Sequence, residues 1–513
     1  MPRTISRLLS TAAALALFLA SFDRLIAAET PQPTMKAGFA ERDITPELGM
    51  EQPGGYGKSY HRSFHDPCKV RAAVFDDGED RVAVVGIDAL VIHRPQVLAA
   101  RKAIHAKCGI APEAILLAAS HSHSSGPTGM ILPGQYDHAS DFVKMLAYEK
   151  SSCADAGYLE KVVGAIVEAV CEADAGRVEA RCGAGSGIED QVAFNRRFRM
   201  KNGLSHTHPG AGNPDIVEPA GPTDPEVGVI GAWDGEGKLL GCVVNFACHA
   251  TTSPGGISAN YIYYLEQAIR GGMAAPDCVV VFTAGASGDV TQVDNLSPYR
   301  RPSGEQWARL VGGRVGAEAV KVLLSMEPGT LAPVDARQKV WNIARRKPSP
   351  ERVRQCAELA AKDPKEVGST EWTFAKEIVL LDALIARAPE VEVEVQAVQV
   401  GPVVFVTDPA EYFCQFGLDI KAGSPFPLTF PVSLANGCVG YVPTEEALGE
   451  HGGGYETRLT SYSNLEPTAG RQMADAGIDL ARHMTPGEIP MPPLAPPFSG
   501  SGWSYGNVPP ELE

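Results

Sequence analysis

No basic run and no basic helix face stands against the formal net charge of −16, which excludes nucleic acid as a partner. The 11 cysteines include no CxxC pair and no zinc-ribbon spacing, so no structural zinc module is encoded locally. Their odd number leaves at least one thiol unpaired even where disulfides form, and they read mostly as small buried residues. Beyond the N-terminal segment no apolar run reaches membrane-spanning length. No internal repeat stands out, so the fold is not read as a repeat array.

What is present starts at the N-terminus. Arg3 and Arg7 precede an apolar stretch over residues 8–20, broken by Asp23 and Arg24, and Ala27-Ala28 supply small residues before Glu29. This pattern predicts a secretory signal peptide over residues 1–28 and a soluble mature protein that is secreted or periplasmic. Residues 36–484 read as the folded part, with a subdomain boundary near 325–333, where Pro and Gly interrupt the pattern. The Pro-rich tail at 485–513 cannot bury enough apolar surface to fold by itself.

Hydrophobic periodicity gives a mixed α/β class. Hairpins are expected to turn at Asp77-Gly78, at Asn202-Gly203 and around 234–237, and residues 392–413 read as two strands about Gly401-Pro402. Helices are expected over 155–174 and 465–484.

The apolar run 114–120 is a buried strand stopped by Ser-Ser-Gly-Pro, and it delivers His121 and His123, which alternation puts on one side. His249 and Glu411 likewise follow apolar runs and precede Thr, Gly, Pro or Ser residues. Neutral imidazoles with a carboxylate, gathered where strand ends converge, are the ligand types of catalytic zinc. Other candidates read as supporting structure. Ser287 in AGASGD lacks the Gly-x-Ser-x-Gly elbow and reads as part of a turn. His206 and His208 read as a solvated loop, and Cys248 should face away from His249 into packing. Asp88 is read either as orienting a ligand histidine or as capping a helix.

ITP and GYG near the start, then ASHSHSSGP, NFACHATT, AGASGDVT, DPAEYF and GYVPT, occur in order between residues 37 and 484. Together they resemble the neutral ceramidase family of zinc-dependent amidohydrolases, here as a catalytic domain of mixed β-sheets with flanking helices, without the immunoglobulin-like domain that members acting on ceramide typically carry. The resemblance implies a zinc ion held by His121, His249, Glu411 and Tyr441, and a catalytic role for His123. It also implies a substrate contact from Arg196, with Arg197 its neighbour and competitor. Where ceramidases have a serine in a Gly-Asp-x-Ser segment, this sequence has Thr291, which keeps the hydroxyl but adds a methyl and stiffens χ1, and the expected catalytic set includes it, positioning the carbonyl and the attacking water together with Arg196.

The expected activity is zinc-assisted hydrolysis of the N-acyl amide of ceramide-like lipids, with transient membrane-surface contact. Four alternatives use the same residues or scaffold. They are a metal-dependent esterase or phosphatase, an amidase on a smaller N-acyl substrate, a metal-independent hydrolase using Ser287 or Thr291 with His123, and a non-catalytic exported binding protein.

Overall fold

The structure is a computed structural model that describes residues 35–500, 502 and 508–513. The expected signal peptide therefore lies outside the described residues.

Three sheets make up most of the β-structure. The N-terminal sheet runs, in spatial order, Ile115–Ala119, Arg81–Ile87, Lys69–Asp76, Lys36–Asp43 and Val178–Glu179. The central sheet runs Val279–Ala284, Leu239–Phe246, Glu226–Trp233 and Arg181–Ile188, and the C-terminal sheet Val334–Ala344, Glu390–Val400, Val403–Thr407 and Leu428–Val432. Most neighbours are antiparallel. Each sheet also contains one parallel pair, formed by Arg81–Ile87 with Ile115–Ala119, Leu239–Phe246 with Val279–Ala284, and Val403–Thr407 with Leu428–Val432. Nearly every residue of these six strands is buried. They read as continuous apolar runs because they are covered on both faces.

The hairpins turn where expected: Asp76 pairs with Arg81 across Asp77-Gly78, Arg199 with Ser205 across Asn202-Gly203, and Trp233 with Leu239. One reading is corrected. His206 lies in the short strand Ser205–Thr207, paired with Arg197–Met200, and is not in a free loop.

The helix Ala156–Ala175 buries Val162, Ile166, Val167 and Val170 against the N-terminal sheet. The helices Tyr261–Gly272 and Gly304–Ser325 pack closely because Gly312 lacks a Cβ, which would sit 2.1 Å from the Tyr261 carbonyl oxygen. Val398, Val400, Phe405 and Phe430 of the C-terminal sheet share one core with Val74, Val84 and Leu116 of the N-terminal sheet, so chain from both sides of 325–333 packs together.

Val334–Ala344 and Glu390–Val400 are antiparallel neighbours with Ala344 opposite Glu390. The chain between them, 345–389, leaves the sheet and returns to the same place. It carries the helices Pro350–Ala360 and Ser369–Arg387, which pack on the helix Asp141–Tyr148 through Ala360, Leu380 and Leu146. Beyond the helix Ala469–Arg482 no further helix or strand occurs among the described residues.

Candidate metal centre and its cavity

His121 and His123 follow the buried strand Ile115–Ala119, but not as a continuation of it. His121 has φ +60°, a conformation rare for a residue with a Cβ. Neighbouring backbone bonds hold it there: Ser120 N donates to Ile87 O, Ser122 N to Ala89 O, and His123 N to Ala250 O. The two rings come together edge to face at 4.7 Å through this turn rather than through strand alternation.

His249 follows Leu239–Phe246, and its main chain is tied to the short strand Val290–Thr291 through His249 N to Val290 O at 3.2 Å. Glu411 lies in Glu411–Tyr412, which pairs in parallel with Tyr441–Val442 and sets Glu411 beside Tyr441. Gly288, in AGASGD, lies beneath this pair, where a Cβ would come within 2.3 Å of the Glu411 carbonyl oxygen.

Both ligand-type imidazoles use Nδ1 to donate to a main-chain carbonyl, His121 to Leu90 O at 2.9 Å and His249 to Ser287 O at 2.7 Å. That assigns the lone pair to Nε2 in each ring. Both Nε2 atoms face the same carboxylate oxygen, Glu411 Oε2, at 3.2 Å and 3.1 Å. Three acceptors turned on one point repel one another, and a cation there reverses the sign of the interaction. The donor set therefore fits a metal such as zinc. The side chains of His121, His123 and His249 bring ligand atoms within 4.8 Å of one another, and His123 Nε2 is 3.2 Å from His121 Nε2.

The electrostatics are those of a dry site. Burial, with Arg196 and His121 nearby, lowers His249 to about 3. Burial and the other two imidazoles push His123 well below the usual histidine range.

Arg196 is buried beside the cluster. Its Nε donates to Glu456 Oε1 at 2.8 Å, and its Nη2 to Gly288 O at 2.7 Å and to the Tyr441 hydroxyl at 3.1 Å. Nη1 lies 3.2 Å from His249 Nε2, and the guanidinium stacks over the Tyr455 and Tyr441 rings. Arg197 points elsewhere, donating to Gly453 O and stacking on Phe413.

Thr291 is close in the chain but not engaged. Its hydroxyl accepts from Val293 N at 3.3 Å, and it is not among the described residues that line the cavity. Ser287 serves His249 through its carbonyl. Cys248 is buried in the central core, as expected. Asp88 takes neither of its two expected roles, because it pairs with the buried Arg71 at 2.7 Å and accepts from Lys69 N at 2.8 Å. His208 is exposed, and its Nδ1 lies 3.4 Å from Asn295 Nδ2.

A cavity of about 300 Å3 opens onto His121, His123, Glu411 and Tyr441. Its other walls are largely aromatic and apolar: Tyr56, Leu90, Met130, Phe374, Tyr455 and Tyr462. Sequence reading missed these walls, apart from Tyr56 in the quoted GYG. Phe374 comes from the excursion 345–389, with Arg458 over its ring at 3.5 Å. Two residues on, the buried Lys376 donates to Tyr56 O at 2.7 Å and Ser151 Oγ at 2.6 Å, and so ties this helix to the Gly54–Tyr56 wall. Gly54 has φ +113°, and a Cβ on it would lie 2.3 Å from His123 Nδ1. The glycine lets the main chain lie against the imidazole.

Neutral ceramidase from Pseudomonas aeruginosa is 25% identical to this chain over 358 residues, which is 65% of the chain and 49% of that protein. The chain is a homologue of neutral ceramidase. It spans about half the length of that relative. The crystal structure of neutral ceramidase from Pseudomonas aeruginosa matches with a TM-score of 0.66 and 21% identity over 90% of this chain and 76% of the other. A ceramidase complexed with C2 matches with a TM-score of 0.63 and 19% identity over 90% and 77%. No family model matches the chain. The α/β fold with mixed sheets is thus a neutral ceramidase fold. Among the described residues no helix is long and apolar enough to cross a membrane.

Proposed function

We propose that this chain is an exported zinc-dependent amidohydrolase that cleaves the amide bond of N-acyl substrates, with ceramide-like lipids as the class its named relatives point to. The observation that carries the metal is the pair of Nε2 lone pairs facing one Glu411 oxygen. His121, His249 and Glu411 would hold the ion, with Tyr441 as the fourth ligand.

Zinc bound there supplies Lewis acidity toward the scissile carbonyl and lowers the pKa of water. The chain's own residues do the rest. His123, kept neutral by burial, is placed to accept a proton at Nε2 and later return it to the leaving nitrogen. Arg196, which does not line the cavity, fixes the Tyr441 hydroxyl and sets a buried positive charge beside His249, and so would act through these two residues. The aromatic walls hold the acyl group and exclude water. Thr291 acts through its strand, whose Val290 carbonyl holds the His249 main chain.

Elemental analysis of the purified protein should find about one zinc per chain, and hydrolysis of a panel of N-acyl compounds should stop on chelation and resume on zinc addition. Protein without metal, or turnover indifferent to chelators, would overturn the assignment. A second reading, an amidase on smaller N-acyl compounds, is favoured by the cavity itself, since about 300 Å3 is at the small end for a ligand pocket.

A further inference from the structure

Met130 and Tyr462 line the cavity at the imidazoles and also a second chamber of about 170 Å3 beside it. Its walls include His93, Arg94, Gln135, Arg345 and Ser461, and no described acidic residue lines it. That is unusual in a chain of net charge −16.

The cations of this chamber differ. Arg94 is matched by Glu392 at 2.8 Å and Glu394 at 2.5 Å. His93 gives Nε2 to the Thr128 and Gly129 carbonyls and is lowered by burial, so it is neutral. Arg345 keeps its charge without a carboxylate. Its Nε donates to Ala388 O at 3.1 Å and its Nη1 to Asn464 Oδ1 at 2.6 Å, and among the described residues no acidic group lies within ion-pair distance. A guanidinium anchored by two donors with its Nη2 edge uncommitted is suited to a carboxylate.

We propose that Arg345 binds the carboxylate of an N-acyl amino acid, placing the acyl chain in the aromatic cavity and the amide at the imidazoles. The proposal rests on the amide-hydrolase reading and narrows its substrate to single-chain anionic amides. Water adds across the C–N bond: its oxygen goes to the acyl carbon, a proton goes to the leaving nitrogen, and the products are a fatty carboxylate and a free amino acid.

The test compares kcat/KM for N-octanoylglycine, N-octanoylethanolamine and a C8 ceramide in the zinc-loaded wild-type enzyme, in Arg345→Gln and in Arg345→Lys. Wild type should prefer N-octanoylglycine by about tenfold or more, as expected for one charge-assisted hydrogen-bonded contact. Arg345→Gln should lose that preference through KM while the ethanolamide changes by less than about threefold, and Arg345→Lys should recover part of it. Because Arg345 also holds Asn464 and Ala388, melting temperatures are recorded for both variants.

Equal loss on both single-chain substrates in a folded variant, or ceramide turned over as fast as N-octanoylglycine, would overturn the proposal. Wild type that hydrolyses none of the three removes the amide-hydrolase reading instead. Calorimetric titration with N-octanoylglycine then decides the subsite alone. Binding weakened about tenfold by Arg345→Gln retains it, and binding indifferent to the change rejects it.

Discussion

In the N-terminal sheet the buried Arg71 meets Asp88 at 2.7 Å and Glu266 at 2.5 Å, with Lys69 at 3.0 Å and Arg270 completing the set around Glu266. At the strand ends His121, His249 and Glu411 are as deeply buried, yet they turn three acceptors on one point. In the first cluster every charge is answered by an opposite charge already in the chain. In the second, Arg196 reaches only His249 Nε2, at 3.2 Å, and among the described residues no Arg or Lys pairs with the Glu411 carboxylate, which is left for an external cation. Burial of polar groups alone therefore does not mark a functional site. What marks it here is a donor–acceptor balance left open.

The sharpest way to break the comparison is His249→Ala. It should release nearly all bound zinc, read by elemental analysis, and abolish turnover; retained metal would contradict the ligand assignment. Arg71→Met should do the reverse, costing about 3–5 kcal/mol of stability in denaturant titration by leaving the buried Asp88 without its partner, while Glu266 keeps Lys69 and Arg270. Its zinc content per folded molecule should not change.

Acid should separate the clusters further. Burial would raise the Glu266 carboxyl, but Arg71, Lys69 and Arg270 hold it at about 2, below its ordinary 4.5. A folded pKa below the unfolded one gives stability that is present above pH 4.5 and lost as pH falls toward 2. The loss contributed by Glu266 should be about 2 kcal/mol in wild type and be absent from Glu266→Gln, compared by denaturant titration between pH 5 and 2.5.

At the site, Gly54→Ala should lower kcat by about a hundredfold through displacement of His123, with zinc content retained. Normal turnover would mean that the Gly54 wall does not set the ring. The smallest effect is expected for Thr291→Val, within about threefold in kcat, because the hydroxyl is engaged with Val293 N. A loss beyond about tenfold would return Thr291 to the positioning of water.

The ligand-type residues were legible because each follows a strand buried on both faces. Such a strand leaves a continuous apolar run in the sequence, and the next polar residues mark its end. Alternation suggested that His121 and His123 converge, but the left-handed backbone at His121 does this, and no local pattern announces that conformation. Asp88 was misassigned although the hairpin register, with Val70 opposite Ile87, already sets it beside Lys69 and near Arg71. The cavity wall was mostly illegible. Phe374 lies on a helix whose apolar residues look like any core stripe, Tyr455 opens a single 3-10 turn, Tyr455–Thr457, and Tyr462 occupies irregular chain, none with a periodicity to read. Glu456, fully buried beneath Arg196, gives no sign in YET that its carboxylate is paired.

Ala344 and Glu390 face each other across one sheet, so the chain that leaves after the first and returns at the second is an insertion between neighbouring strand ends. Two antiparallel strands ending side by side can be joined by a short turn or by a long detour at similar closure entropy. The detour used here carries both Arg345 and Phe374, while every proposed zinc ligand lies outside it. Replacing residues 345–389 would therefore change the Arg345 and Phe374 walls together, and a replacement would have to keep the Lys376 contact to Tyr56 O that supports the wall beside His123.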